Sequence, residues 1–141
     1  MHATMPINER GRWVDDTSTT EDRTYSALLH ASVLAHTVIP IVSILIPIIM
    51  WNMKKKDSPF IADHGREAVN FQISLLLYSL ILPIIAIPIG LLLLVVGVAV
   101  TVPVALIFPY ILGLVGMILA VIACNRGELF RYPMTLRFLK G

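Results

Sequence analysis

Charge is missing from the middle of this chain. Residues 68–125 are 58 consecutive positions without Asp, Glu, Lys or Arg, a run that no water-soluble domain of this size needs. An α-helix rises about 1.5 Å per residue and a bilayer core is about 30 Å thick, so the run makes about 87 Å of helix and must cross and return. Charged residues are 14% of the chain and hydrophobic ones 57%, against about 25% charged in ordinary globular domains, a shift that matches lipid-facing helices. Cysteine is nearly absent: Cys124 stands alone, which excludes an internal disulfide, leaves the redox compartment unread, and suits a small packing residue. There is no phosphate-binding glycine loop, no serine-elbow motif and no cysteine cluster. The net charge of +2 and a lysine run beside an apolar segment give nucleic-acid binding no support.

What is present predicts an all-α integral membrane bundle in one domain. Residues 1–24 form an acidic leader with little to bury, which predicts mobility. Residues 25–51 are an apolar stretch of span length, flanked by aromatic residues at headgroup level and bent at Pro40 and Pro47. At 27 residues the stretch is too long, and the leader too acidic, for a cleavable signal peptide, so the segment is expected to stay. A basic loop follows at 52–66, where Ser58 before Pro59 signals a helix start. Further spans are expected at 67–90 and 104–124, separated by a turn between Gly90 and Pro103, and a basic tail occupies 125–141. With three crossings the loop and tail share a face holding Lys54, Lys55, Lys56, Arg66, Arg126, Arg131, Arg137 and Lys140, eight of the eleven basic residues. The positive-inside rule then puts the C-terminus in the cytoplasm and the N-terminus outside. Four spans, or three with a re-entrant segment at 91–103, are the alternatives.

Three sets of residues are candidate interaction faces. Gly113, Gly116, Ala120 and Ala123 recur at three- and four-residue steps, and Ala27, Ala31 and Ala35 at strict four-residue steps, lines along which another helix can approach closely. Ser32, His36 and Ser43 on the first span, and Asn70, Ser74 and Tyr78 on the second, make polar stripes. An antiparallel hairpin would set Ser43 level with Ser74 and His36 near Tyr78, as interhelical hydrogen bonds that fix register or as the lining of a polar path. At the basic face, Asp63 and Glu67 are expected to pair with Arg131 or Arg137, while Arg66 and the lysines meet anionic lipid. His64 and Glu67, three apart, have a spacing some helical metal sites use, but no second motif supplies the remaining ligands, so no metal or other cofactor is expected.

Two stretches carry a resemblance. His64-Gly65-Arg66-Glu67-Ala68-Val69-Asn70-Phe71-Gln72 leads into a span, and Asn125-Arg126-Gly127-Glu128-Leu129-Phe130-Arg131-Tyr132-Pro133 leads out of one. Together with Leu28-Leu29-His30-Ala31, Pro40 and Trp51, they make residues 25–140 resemble the Tic-twenty-like family of small bacterial membrane proteins, of which magnetosome proteins of the MamF type look like relatives. The chain has no acidic segment of the mineral-binding kind, which makes the magnetosome role the secondary branch. The resemblance implies a small helical scaffold in a bacterial inner membrane and supplies no catalytic residues. The expected function is therefore a non-enzymatic accessory or scaffold subunit, joined to other membrane subunits or to copies of itself through the small-residue face of the third span. An oligomeric conduit along the polar stripes is the alternative. Catalysis is not expected, because the intramembrane region has no carboxylate and offers only His30 and His36 as bases.

Overall fold

The computed structural model describes residues 5–139, the side chains of 94–96 excepted; Lys140, counted above on the basic face, lies outside the described residues. The elements in order are α1 (Thr20–Ala31), a 3-10 segment (Ser32–Thr37), α2 (Pro40–Ser43), α3 (Leu45–Lys54), α4 (Pro59–Leu92) and α5 (Leu94–Asn125), with no strand among the described residues. Two of the helices, Pro59–Leu92 and Gly97–Asn125, are long and apolar enough to cross a membrane. Only 17% and 22% of their most apolar stretches are buried inside the chain, where the core helix of a soluble protein would be mostly covered. Ile84, Leu91, Leu92, Val104 and Ile111 all face outward, as lipid contact requires.

α4 and α5 form an antiparallel hairpin whose register runs through close approaches at His64 and Cys124, Phe71 and Gly116, Leu75 and Gly113, and Ala86 and Thr101. The turn expected over Gly90–Pro103 is much tighter: helix is interrupted only at Leu93, and residues 91–103 complete the two helices without an extra span. Gly90 permits this, since a Cβ there would lie 2.6 Å from the Thr101 hydroxyl and 2.8 Å from the Val98 backbone. The basic loop is likewise shorter than 52–66, because Ser58 is extended and Pro59 takes the first helical position, where its missing N–H costs nothing. Asp63, Arg66 and Glu67 consequently lie on α4.

Residues 25–51 do not make the expected single span. Pro40 lacks a donor and pushes Ile39 out of the helical region, to φ −137° and ψ 84°, and the segment folds back. Tyr25 donates its hydroxyl to the Met50 carbonyl at 2.7 Å, and Lys54 meets Glu21 at 2.5 Å. Both ends of the segment therefore lie at one end of the molecule, and its turn reaches only to the level of Ser79 and Tyr110, which His36 contacts.

The leader also has partners. Asp15 donates its amide to the Gly127 carbonyl and Leu129 donates to Trp13, each within 2.9 Å, and Thr19 and Asp22 form a capping box that starts α1. Gly127, at φ +68°, ends α5 in a Schellman turn with Gly127 N–H on Cys124 and Glu128 N–H on Ala123. Leader, loop and tail thus share one end, which corrects the expectation of termini on opposite faces. Cysteines introduced as Glu9→Cys and Phe138→Cys should react with an impermeant maleimide from the same side of sealed vesicles, and Leu92→Cys should not react from that side; labelling of 9 and 138 from opposite sides would overturn the arrangement.

Candidate functional site at the polar end of the bundle

The first half of α4 is buried nearly all round, from Phe60 to Leu75, and the second half is largely exposed. What covers the first half is α1, α3, α5 and the tail after Asn125. The tail has neither helix nor strand, so its backbone groups need partners elsewhere, and one polar face of α4 supplies them. Glu67 Oε1 accepts from Tyr132 N–H at 2.9 Å, Ser74 Oγ accepts from Leu136 N–H at 2.8 Å, and Asn70 both accepts from Leu139 N–H at 2.8 Å and donates to its carbonyl at 2.9 Å. Tyr78 donates its hydroxyl to the carbonyl of Met134, which sits at φ +60° where the tail reverses.

The two polar stripes meet different partners. Asn70, Ser74 and Tyr78 hold the tail, not the first segment. Ser43 and Ser32 meet Gln72 instead: with its amide turned to satisfy both ends, Gln72 donates to the Ser43 carbonyl at 3.1 Å and accepts from the Ser32 hydroxyl at 2.8 Å. His36 approaches Ser79 at 3.5 Å, one residue from the expected Tyr78. Its Nδ1 has no hydrogen-bond partner, and the ring borders a largely apolar cavity of about 210 Å³ with Val33, Leu75, Pro109 and Gly113. The stripes do not join into one polar path.

The small-residue face of α5 is also filled from within. Ala120 and Ala123 are fully buried, and a Cβ on Gly116 would lie 2.8 Å from Phe71 and 2.9 Å from Tyr132, which stack with centroids 3.6 Å apart. Gly116, Ala120 and Ala123 are thus covered within the chain, where the sequence reading expected a partner. Ala27, Ala31 and Ala35 are half-buried, and their four-residue line is broken because Ala35 falls in the 3-10 segment, with three residues per turn.

Carboxylates and arginines bind the polar end together. Asp63 is held by Arg131 at 2.5 and 2.8 Å and by Arg66 at 2.8 Å, and Glu67 is approached by Arg137 at 3.4 Å. Glu128, buried, takes Arg10, Arg12 and Asn8 from the leader at 2.9–3.0 Å. Burying a carboxylate is costly unless it is paired and hydrogen-bonded, and each of these is. Lys54 pairs with Glu21 and Lys55 lies over the Trp51 ring, leaving Lys56 exposed.

Inside this shell lies a cluster that sequence spacing did not show. His30 of α1, His64 of α4 and Cys124 of α5 are buried, and one ligand atom from each lies within 4.8 Å of the others. Their hydrogen bonds have one consistent direction. The Glu128 carbonyl can only accept, so His64 Nε2, 3.1 Å away, carries the proton and His64 Nδ1 is an acceptor. His30 Nε2 donates to that Nδ1 at 2.8 Å, and His30 Nδ1 accepts from the Tyr132 hydroxyl at 2.7 Å. The Cys124 thiol is 3.4 Å from the same His64 Nδ1. Glu67, the other half of the spacing noted in the sequence, serves the tail backbone. The only sequence hints of the cluster were His30 and His64 in the familiar stretches, and nothing local links them to Cys124.

Burial pushes the Tyr132 phenol well above its usual 10, so the hydroxyl remains a donor to His30. A folded-state pKa raised above the unfolded one contributes stability that is complete below about 10 and is lost as pH rises through the folded value. Tyr132→Phe should lower stability in detergent by about 1–3 kcal/mol, because a buried histidine acceptor loses its donor, and should flatten the alkaline loss expected of the wild type above about pH 10. Asn70→Ala with Ser74→Ala should release the tail, so that trypsin cuts after Arg137 several-fold faster with helix content unchanged; an equal cleavage rate would show that the tail is held by other contacts.

No curated protein and no solved structure shows significant similarity to the chain. A family match covers residues 21–139, the whole of the helical body with its tail and none of the leader before Thr20. The sequence placed this family's proteins among the relatives of the Tic-twenty-like family, as the secondary branch; the match bears out that branch and not the wider label. With its apolar hairpin and the tail locked onto α4, the chain belongs to the MamF/MmsF family, described as the magnetosome magnetite crystal formation protein family.

Proposed function

We propose that this protein is a non-enzymatic accessory or scaffold subunit of a magnetosome membrane, acting on crystal formation through contacts within the membrane and at its polar end. The observation that carries this reading is the distribution of charge. Every charged residue lies at positions 9–67 or 126–140, and the described ones belong to segments that gather at one end of the hairpin. The far half, about residues 80–115, has no carboxylate, histidine or basic group, so it offers no acidic surface to a mineral. Contact with other membrane components is the role left to it.

The positive-inside rule supports a cytoplasmic polar end, since all the described basic residues belong to that end. Both termini are then cytoplasmic, with Lys56 and neighbouring basic groups facing anionic headgroups. A partner subunit, or a second copy, would dock on the outward faces of α4 and α5, where Ile84, Ile107, Ile111 and Ile118 are exposed. The conduit reading loses support, because Asn70, Ser74 and Tyr78 are engaged by the tail.

Isolation from native membranes in mild detergent, followed by native mass spectrometry, tests the proposal. A complex of fixed stoichiometry with other membrane subunits is expected, together with altered crystal size in a deletion strain that still forms the membrane compartment. A chain recovered only as a monomer, with normal crystals in the deletion strain, would overturn it.

A further inference from the structure

We propose that His30, His64 and Cys124 form a binding site for one zinc-class metal ion in the interior of the bundle. This is independent of the family role and departs from the sequence expectation of no metal. The three donors come from three different helices, as in metal sites built in bundle cores, and their atoms already converge within 4.8 Å. Tetrahedral coordination with Zn–N of about 2.0–2.1 Å and Zn–S of about 2.3 Å places two nitrogens about 3.3 Å apart and nitrogen and sulfur about 3.6 Å apart. The observed separations are 2.8 Å between His30 Nε2 and His64 Nδ1, and 3.4 Å between His64 Nδ1 and Cys124 Sγ. The third separation, between the His30 nitrogen and the Cys124 sulfur, is within 4.8 Å, so binding opens the two rings by about half an ångström and closes His30 toward Cys124 by about 1 Å.

The outer partners suit ligation as well. A metal-bound histidine ordinarily donates its other N–H to a carbonyl, carboxylate or water. His64 already donates Nε2–H to the Glu128 carbonyl. His30 needs only to move its proton from Nε2 to Nδ1, where the Tyr132 oxygen, 2.7 Å away, becomes the acceptor. The balance is one ion bound and one proton released, from the Cys124 thiol; both histidines stay neutral. The thiolate cancels one of the two metal charges; Asp63 and Glu67, flanking His64 on α4, are already paired with Arg66, Arg131 and Arg137. Two imidazoles and a thiolate select zinc over hard, oxygen-preferring cations, and the three protein ligands leave one position for a small exogenous ligand.

The test uses the tag-free full chain in mild detergent. Elemental analysis should find about one zinc per chain, and Co2+ added to chelator-treated protein should give tetrahedral visible bands with a thiolate-to-cobalt charge-transfer band. Cys124→Ala should abolish the charge-transfer band and weaken Co2+ binding by about 10-fold or more, whereas His36→Ala should leave both unchanged. Circular dichroism and gel filtration establish that each variant is folded. Folded wild-type protein that neither retains zinc nor develops the thiolate band would overturn the site and leave the three side chains as a hydrogen-bonded cluster. Unchanged Co2+ binding and spectrum in folded Cys124→Ala would overturn it too.

Discussion

The tail after α5 must find hydrogen-bond partners without forming a helix or a strand, and much of the molecule is arranged around that need. An unpaired buried backbone group costs about as much as a lost hydrogen bond, and the backbone of residues 132–139 is served by Glu67, Asn70, Ser74 and Tyr78, which stand on one face of α4 at steps of three and four. Once the tail lies there, Tyr132 covers Phe71 and donates to His30, and Glu128 is placed to receive Arg10 and Arg12 of the leader. The leader is fixed in turn by the Schellman turn at Gly127, whose carbonyl accepts from Asp15. Polar contacts thus join the two ends of the sequence, while the hairpin between them is left to lipid and to helix packing.

The hairpin was legible in the sequence because a charge-free run of 58 residues has few physical solutions. The return of residues 25–51 was not. Proline in a membrane helix often only bends it, and nothing local distinguishes Pro47, which stays within α3, from Pro40, which ends the preceding turn. What decides between them is Tyr25 meeting Met50 and Trp51 donating to Ala62, contacts between residues far apart or across a loop. Gly65 belongs to the same group: a Cβ there would lie 2.2 Å from the Trp51 ring, so the shape of that corner depends on a residue that in sequence looks like a loop glycine.

The candidate site was half legible for a similar reason. Periodicity marked Asn70, Ser74 and Tyr78 as one face, correctly as a face, but periodicity within a helix says nothing about what lies opposite. His30, His64 and Cys124 are separated by 34 and 60 positions, and each taken alone reads as an ordinary packing residue. Only the antiparallel register of α4 and α5, together with the short reach of α1, brings them to one point. The Asp63 and Arg131 pairing followed from charge, since few carboxylates were expected on the face that carries eight of the eleven basic residues.

The shallow turn of the first segment gives the protein unequal widths at its two ends. Down to the level of Ser79 and Tyr110 the cross-section includes the returning helices, the tail and the hairpin; beyond that depth it narrows toward two helices joined at Leu93. Such a body displaces more lipid from one leaflet than from the other. Set in a bilayer, it would fit with least strain where the surface is convex on the wide, charged side, which would couple its placement to the local bending of the membrane around it.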